Sequence, residues 1–258
     1  MFDIFIVSIV TFSAAILTFF SGFGLGTILT PAMMIFFPTE IAIAFTGLVH
    51  FSNNIFKFFL VGKNIDKKVL IRFGLPSVIA ALIGSSLLVL IDYNTVIFSY
   101  YFFDKKIDVI LVKFLISILL IIFAIIDLIP QIKNLHFDNK YLPVGGFLSG
   151  FFGGLSGNQG ALRSAFLVKH GLEKSVFIAT TVAISSLVDI TRLSVYSTNF
   201  LNLNYSDFYQ LGFFSVVSAV AGSFIGNKLL KKVTIEQIKK IVALLLILLG
   251  ISLLIGIL

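Results

Sequence analysis

The chain has 258 residues, with 19 Lys plus Arg against 12 Asp plus Glu, a formal net charge of +7 and a pI near 9.5. Charged residues make up 12%, about half the ~25% of a soluble domain, while 58% are hydrophobic and the mean hydropathy is +1.09. So few charges cannot coat a soluble fold of this size, which excludes a soluble globular protein, a disordered chain and a nucleic-acid binder.

The basic balance is instead the mark of Lys and Arg left in the cytoplasmic loops of a membrane protein. Cysteine is absent, so there is no disulfide framework and no thiolate metal site. Tryptophan is absent too, which leaves Tyr and Phe to serve the membrane interface.

In chain order, the first apolar run, 4–21, is expected to be a permanent transmembrane helix. Asp3 stands where a secretory signal would carry positive charge, and no small-x-small cleavage site follows. Runs of about 20 apolar residues then predict further spans at 41–61, 69–91, 110–130, 142–155, 176–196, 208–229 and 238–257. Two shorter apolar pieces, 26–37 and 160–169, follow Gly-rich interruptions. Segments 38–40, 63–68, 92–108, 133–140, 169–174, 196–207 and 228–240 hold most of the charges and turn residues and are expected to be connections. No soluble domain fits between them. The expectation is one all-α integral membrane domain over 1–258 with about eight spans; the side on which each loop lies is not assigned.

An internal repeat organises these pieces. Ser21-Gly22-Phe23-Gly24-Leu25-Gly26-Thr27 precedes the first short piece, and Ser149–Gly160, with Gly153-Gly154, Gly157 and Gly160, precedes the second. Aligning Gly26 with Gly160 pairs Thr30 with Ser164 and, after a one-residue gap, Ala44 with Ala179, Thr46 with Thr181, Asn54 with Asp189 and Lys57 with Arg192. Each half therefore has a polar residue followed by a cation at i+3, on one helix face. Two homologous repeats are expected, 1–131 and 138–258, each with a Gly-broken first helix and a polar second one. Matching interruptions in two halves point to a transporter binding site. The freed backbone groups of such a break are tolerated in a membrane only where they line a cavity or are bound, and a half-helix starting there presents N–H groups suited to an anion.

The polar residues each admit two readings. Gly22, Gly24 and Gly26 serve either the break or close helix packing; a dinucleotide site would need a βαβ context that is missing. Gly154-Leu155-Ser156-Gly157 matches the nucleophile motif of rhomboid intramembrane proteases, but that chemistry needs a His on a later helix. The one His after Ser156 is His170, in a Lys-rich connection. Ser156, Gly157, Asn158, Gln159 and Gly160 are better read as uncharged hydrogen-bonding groups at a helix break, and no enzymatic activity is expected.

Arg163, on the first turn after Gly160, either snorkels or grips an oxyanion with its planar fork. Lys57 either snorkels to a loop or binds substrate. Asp189 follows an uncharged run from Ser175 to Val188; it either pairs with Arg192 or carries a proton beside an anion-binding Arg. His50 either bonds across helices or is a second proton carrier. Asn53, Asn54, Thr27, Thr30, Ser164 and Thr181 complete the expected polar lining.

The stretch 153–164, Gly-Gly-Leu-Ser-Gly-Asn-Gln-Gly-Ala-Leu-Arg-Ser, continues through Gly171-Leu172 and Thr180-Thr181 to Asp189-Ile190-Thr191-Arg192-Leu193. With its first-half counterpart 22–31 and Gly62-Lys63-Asn64-Ile65-Asp66, it resembles the TauE/SafE family of sulfite exporters, the TSUP-type permeases. Many members carry consecutive glycines and a proline after each break, whereas the second break here has Asn158-Gln159-Gly160 and Arg163. The resemblance implies a multi-pass plasma-membrane permease for sulfite, a sulfonate or another organosulfur anion. Proton coupling would fall to Asp189, with His50 second. An anion channel or a membrane component of a larger assembly is the alternative. No cofactor, metal or nucleic-acid partner is expected; the partners are a small anion and the bilayer.

Overall fold

The computed structural model describes residues 2–21, 24–61, 64–92, 94–129, 138–168, 171–200, 209–229 and 235–257. The helices are α1 (Phe2–Ser21), α2 (Leu25–Met33), α3 (Thr39–Val61), α4 (Lys67–Leu90), α5 (Leu111–Leu128), α6 (Leu142–Ser156), α7 (Gly160–Val168), α8 (Lys174–Phe200), α9 (Tyr209–Leu229) and α10 (Ile235–Leu254). Each expected apolar run is helical. Among the described residues, three helical stretches, Lys67–Leu90, Ser175–Ser197 and Tyr209–Leu229, are long and apolar enough to cross a membrane, and Ile4–Phe19, Leu111–Ile126 and Lys240–Leu254 are shorter apolar helices. Both short pieces after the glycine breaks, α2 and α7, are nine-residue helices.

The polarity is inside-out. Phe59, Leu90, Phe213 and Leu244 are among many large apolar side chains left exposed, while His50, Asn53, Asn54, Lys57, Gln159, Arg163, Asp189 and Arg192 are buried. In lipid such an exterior costs nothing, and the polar interior is what must be explained.

Packing places α4 along α6, α1 along α9, α5 along α10, and α3 across α8. The α4–α6 seam is backbone against backbone. Gly146, Gly150 and Gly154 recur every fourth residue on one face of α6. A Cβ on any of them would overlap a carbonyl of α4, those of Phe73, Ser77 and Ala81 respectively. This is close approach through small residues. Ser77 Oγ fills the seam, donating to the carbonyls of Phe73 at 2.7 Å and Gly146 at 2.9 Å.

Within α4, Asp66 caps the N-terminus by accepting from the amides of Lys68 at 2.8 Å and Val69 at 2.9 Å. A π turn at Leu70–Gly74 precedes Pro76. Proline cannot donate to the carbonyl four residues back, and the wider turn absorbs that missing bond.

Two expected connections, 196–207 and 228–240, are shortened because α8 runs on to Phe200 and α10 begins at Ile235, and a third changes character. Part of 92–108 forms a hairpin, β1 (Val96–Phe102) and β2 (Lys105–Ile110), paired antiparallel with Phe102 opposite Lys105. Its β-branched and aromatic residues favour strands, but the run is too short and too charged to register in a search for 20-residue spans. Phe103 and Asp104 close it with φ of 46° and 59°, the left-handed pair a two-residue hairpin turn requires. Tyr100 Oη donates to the Ile255 carbonyl, pinning the hairpin to the end of α10. Asp108 accepts from Ser99 Oγ at 2.5 Å and pairs with Lys106 at 2.9 Å. These two contacts, Ser99 first, hold its carboxyl below the ordinary Asp range.

Candidate functional site

The buried polar groups converge where α3 crosses α8, beside both glycine breaks. Asp189, on α8, is the hub. His50 Nδ1 lies 2.6 Å from Asp189 Oδ2, a contact that needs a proton between the two atoms. Asn54 Nδ2 donates to the same oxygen at 3.0 Å. Arg192 Nε donates to Oδ1 at 3.0 Å, with Nη2 at 2.9 Å, and Gln159 Nε2 reaches Oδ1 at 3.4 Å. Asn54 Nδ2 is also 3.1 Å from His50 Nδ1. With the Nδ1 proton directed at the carboxylate, the amide hydrogens of Asn54 serve Asp189 rather than the ring. Four side chains from α3, α8 and the second break thus surround one carboxylate, a donor set matched to an ion that only accepts.

The sequence spacing explains the assembly. His50 and Asn54 are one turn apart on α3, and Asp189 and Arg192 one turn apart on α8, so each helix presents both groups on one face. The i,i+3 pairing of Asp189 with Arg192 is present. Asn54 and Lys57 share a face as expected but diverge in partner: Asn54 reaches Asp189, and Lys57 Nζ lies over the Phe19 ring, 5.1 Å from its centroid.

The two breaks touch. α6 ends at Gly157, whose φ of +79° turns the chain into the left-handed region. Gly26, on the first turn of α2, faces the Gly157 carbonyl: a Cβ there would sit 3.2 Å from that oxygen and 3.7 Å from Thr46 Cγ2. A Cβ on Gly24 would lie 2.8 Å from His50 Nε2, so glycine is what admits the ring. A Cβ on Gly157 would lie 2.7 Å from Arg192 Nη1 and 3.5 Å from Thr30 Oγ1. Gly24 and Gly26 therefore serve the break, while the close-packing role falls to Gly146, Gly150 and Gly154. Gly22 lies outside the described residues.

Around this junction, buried polar atoms lack a hydrogen-bond partner among the described residues: the hydroxyls of Thr27, Thr30 and Thr46, both amide atoms of Asn158, Arg163 Nε and Arg192 Nη1. Hydroxyl, amide and guanidinium donors left unpaired in an apolar interior are costly unless something accepts from them. An oxyanion fits that need. Arg163 Nη1 donates to Gln159 Oε1 at 3.1 Å, so one glutamine bridges Arg163 to Asp189.

Other expected residues have structural partners. Asn53 Oδ1 accepts from Ser223 Oγ of α9 at 2.7 Å. Ser156 donates to the Phe152 carbonyl and Thr181 to that of Ile178, each within its own helix. The Ser156 hydroxyl is thus engaged by backbone, and His170 lies outside the described residues. Gly160 opens α7, and Ser164 is buried on the same helix.

Sequence reasoning missed Tyr196 and Gly47. Tyr196 Oη donates to the Gly154 carbonyl, tying α8 to the end of α6. Its place one turn past Arg192 was the signal. A Cβ on Gly47 would come within 3.0 Å of Leu193 and 3.6 Å of the Arg192 guanidinium; a lone glycine mid-helix gave no clue to that partner.

The family model described as Sulfite exporter TauE/SafE matches residues 7–253, nearly the whole chain. No curated protein and no solved structure matches.

Proposed function

Because the chain belongs to the Sulfite exporter TauE/SafE family, a family of membrane transporters, we propose that it is a multi-pass secondary transporter of the plasma membrane. Its substrate is a small sulfur oxyanion, sulfite or a sulfonate, and protons move with it. The observation that carries this reading is the junction of the two glycine breaks. Unpaired donors of Thr27, Thr30, Asn158 and Arg192 lie there among the described residues, with Arg163 joined to the junction through Gln159 and Lys57 one turn past Asn54 on α3. Among the described residues, three buried basic side chains, Lys57, Arg163 and Arg192, accompany one buried carboxylate, Asp189, so the interior favours an added negative charge.

The packing of α4 on α6 and of α1 on α9, with α3 across α8 and α5 along α10, supports two repeats of four spans related by exchange of halves. A site shared by both repeats near the midplane suits alternating access. Arg163 is proposed as a principal anion contact, with its fork and the break's donors on one oxyanion. Sulfite should raise the unfolding midpoint of purified protein; at about 100 times its dissociation constant a ligand adds about 2.7 kcal/mol. Arg163→Lys keeps the charge but loses the fork, and should weaken binding by about 1–3 kcal/mol. Unchanged sulfite transport in Arg163→Ala, at equal expression, would remove the assignment. Conductive sulfite flux unaffected by a pH gradient would favour a channel.

A further inference from the structure

The buried cations are not equivalent. Arg192 is matched by Asp189 at 2.9 Å. Lys57 and Arg163 are buried, at 7% and 3% exposure, and neither has a carboxylate within ion-pair distance among the described residues. Arg163 is linked through Gln159 and Asp189 to Asn54, one turn before Lys57 on α3, and the Lys57 ammonium lies over the face of Phe19. Two like charges in an apolar interior repel far more strongly than in water. The guanidinium cannot shed its proton; the ammonium can.

Resting on the anion-transport reading above, we infer that Lys57 carries the proton that accompanies the anion. With no anion beside Arg163, Lys57 is the neutral amine. An oxyanion entering beside Arg163 supplies the missing negative charge, and the Lys57 amine takes a proton from the same aqueous side to become the ammonium. Anion and proton leave together on the other side, and the amine is restored. For a monoanion such as hydrogensulfite or a sulfonate, one negative and one positive charge cross per cycle, so the step balances without any other reactant.

The groups around Lys57 fit this division. On its own helix, His50 is engaged at Nδ1 by Asp189, and Asn54 donates to Asp189. From α8, Asp189 and Arg192 neutralise one another. From α7 comes Arg163. The short α2 carries no charged residue, and the one charge on α9, Lys228, lies over Phe224, 4.5 Å from its centroid. Asp189, ringed by donors, is the carboxylate that positions His50 and Arg192 rather than the group that titrates in the cycle. The proton role that the sequence suggests for Asp189 and His50 passes, on this inference, to Lys57.

The test uses full-length protein in proteoliposomes, radiolabelled sulfite as the probe and an entrapped pH dye. Wild-type protein should accumulate sulfite when a pH gradient is imposed. Lys57→Arg, whose charge cannot be shed, should keep sulfite counterflow but lose the pH-driven accumulation and one proton per anion. Lys57→Gln should lose the accumulation as well. Sulfite itself takes up a proton near neutrality, so the difference between variants decides, not the wild-type ratio. Lys57→Arg accumulating sulfite with the wild-type pH response would overturn the inference; if that variant does not fold, the same result in Lys57→Gln would do so. Wild-type counterflow without proton movement would remove the Lys57 role and leave the anion reading standing. A wild-type protein with no sulfite counterflow and no sulfite-induced thermal shift would remove both.

Discussion

The two glycine breaks are built by opposite rules. The second, between α6 and α7, is the more heavily bonded, although both amide atoms of Asn158 have no partner among the described residues. Ser149 Oγ donates to the Gln159 carbonyl at 3.0 Å, Tyr196 Oη to that of Gly154, and the Gln159 side chain links Arg163 to Asp189. At the first, between α1 and α2, Gly24 caps α2 with no side-chain hydrogen bond, and the hydroxyls of Thr27, Thr30 and Thr46 near it have no partner among the described residues. Equivalent places in two halves of one chain thus divide the labour. The second break is mostly a preformed scaffold that fixes the charges, and the first supplies hydroxyls still free to bind beside the Asn158 amide. A site needs both, because donors aimed at a ligand must be held by groups that are themselves satisfied.

The comparison fails most visibly if Asp189 is not the centre of the scaffold. Asp189→Ala leaves Arg192 buried without its counter-charge and removes the acceptor for His50, Asn54 and Gln159. The expected loss is about 3–5 kcal/mol, read as a collapse in the yield of monodisperse protein. Asp189→Asn keeps one acceptor oxygen and should lose less. A fully folded Asp189→Ala protein of unchanged unfolding midpoint would show that the second break does not depend on this ion pair.

A smaller effect separates the glycines themselves. Gly157→Ala puts a Cβ in the left-handed region, at about 1–2 kcal/mol, and drives it against Arg192 Nη1. Gly26→Ala sits inside helix α2 at ordinary φ, where alanine is favoured by up to about 1 kcal/mol, and meets the Gly157 carbonyl 3.2 Å away. Thermal unfolding should therefore fall clearly for Gly157→Ala and little for Gly26→Ala, while sulfite uptake falls in both. Equal destabilisation would show that the two breaks are equally constrained.

The sequence made much of this legible, and the limits have physical causes. Helix positions followed from apolar run length, because lipid fixes the length of a span. The convergence of both breaks followed from matching Gly26 with Gly160, and the Asp189–Arg192 pair from i,i+3 spacing. What stayed hidden depended on contacts between distant elements. Nothing local says that Asn53 turns to Ser223 on α9, or that His50 reaches across to Asp189, 139 positions away. The glycines of α6 read as part of the break, yet Gly146, Gly150 and Gly154 face the α4 backbone, and only the partner helix reveals this. The 96–110 hairpin was hidden because its strand signal lies between two long helical runs.

The smallest effect is also the sharpest test of the division between scaffold and binding side. Thr30→Val and Ser149→Ala each delete one buried hydroxyl, one from each half. Ser149 Oγ is paired, so its loss leaves the Gln159 carbonyl short of a donor and should cost about 0.5–1.5 kcal/mol whether or not sulfite is present. Thr30 Oγ1 has no partner among the described residues, and valine is close to threonine in shape. Removing an unpaired buried hydroxyl relieves a desolvation penalty, so Thr30→Val should unfold at the wild-type temperature or slightly above it. The loss should appear only with ligand, as a smaller sulfite-induced rise in the unfolding midpoint, equivalent to about 1 kcal/mol of binding. Unfolding curves with and without sulfite separate the two variants in one experiment. If Thr30→Val is destabilised without ligand and keeps the full sulfite shift, its hydroxyl is structural, and the first break is scaffold like the second.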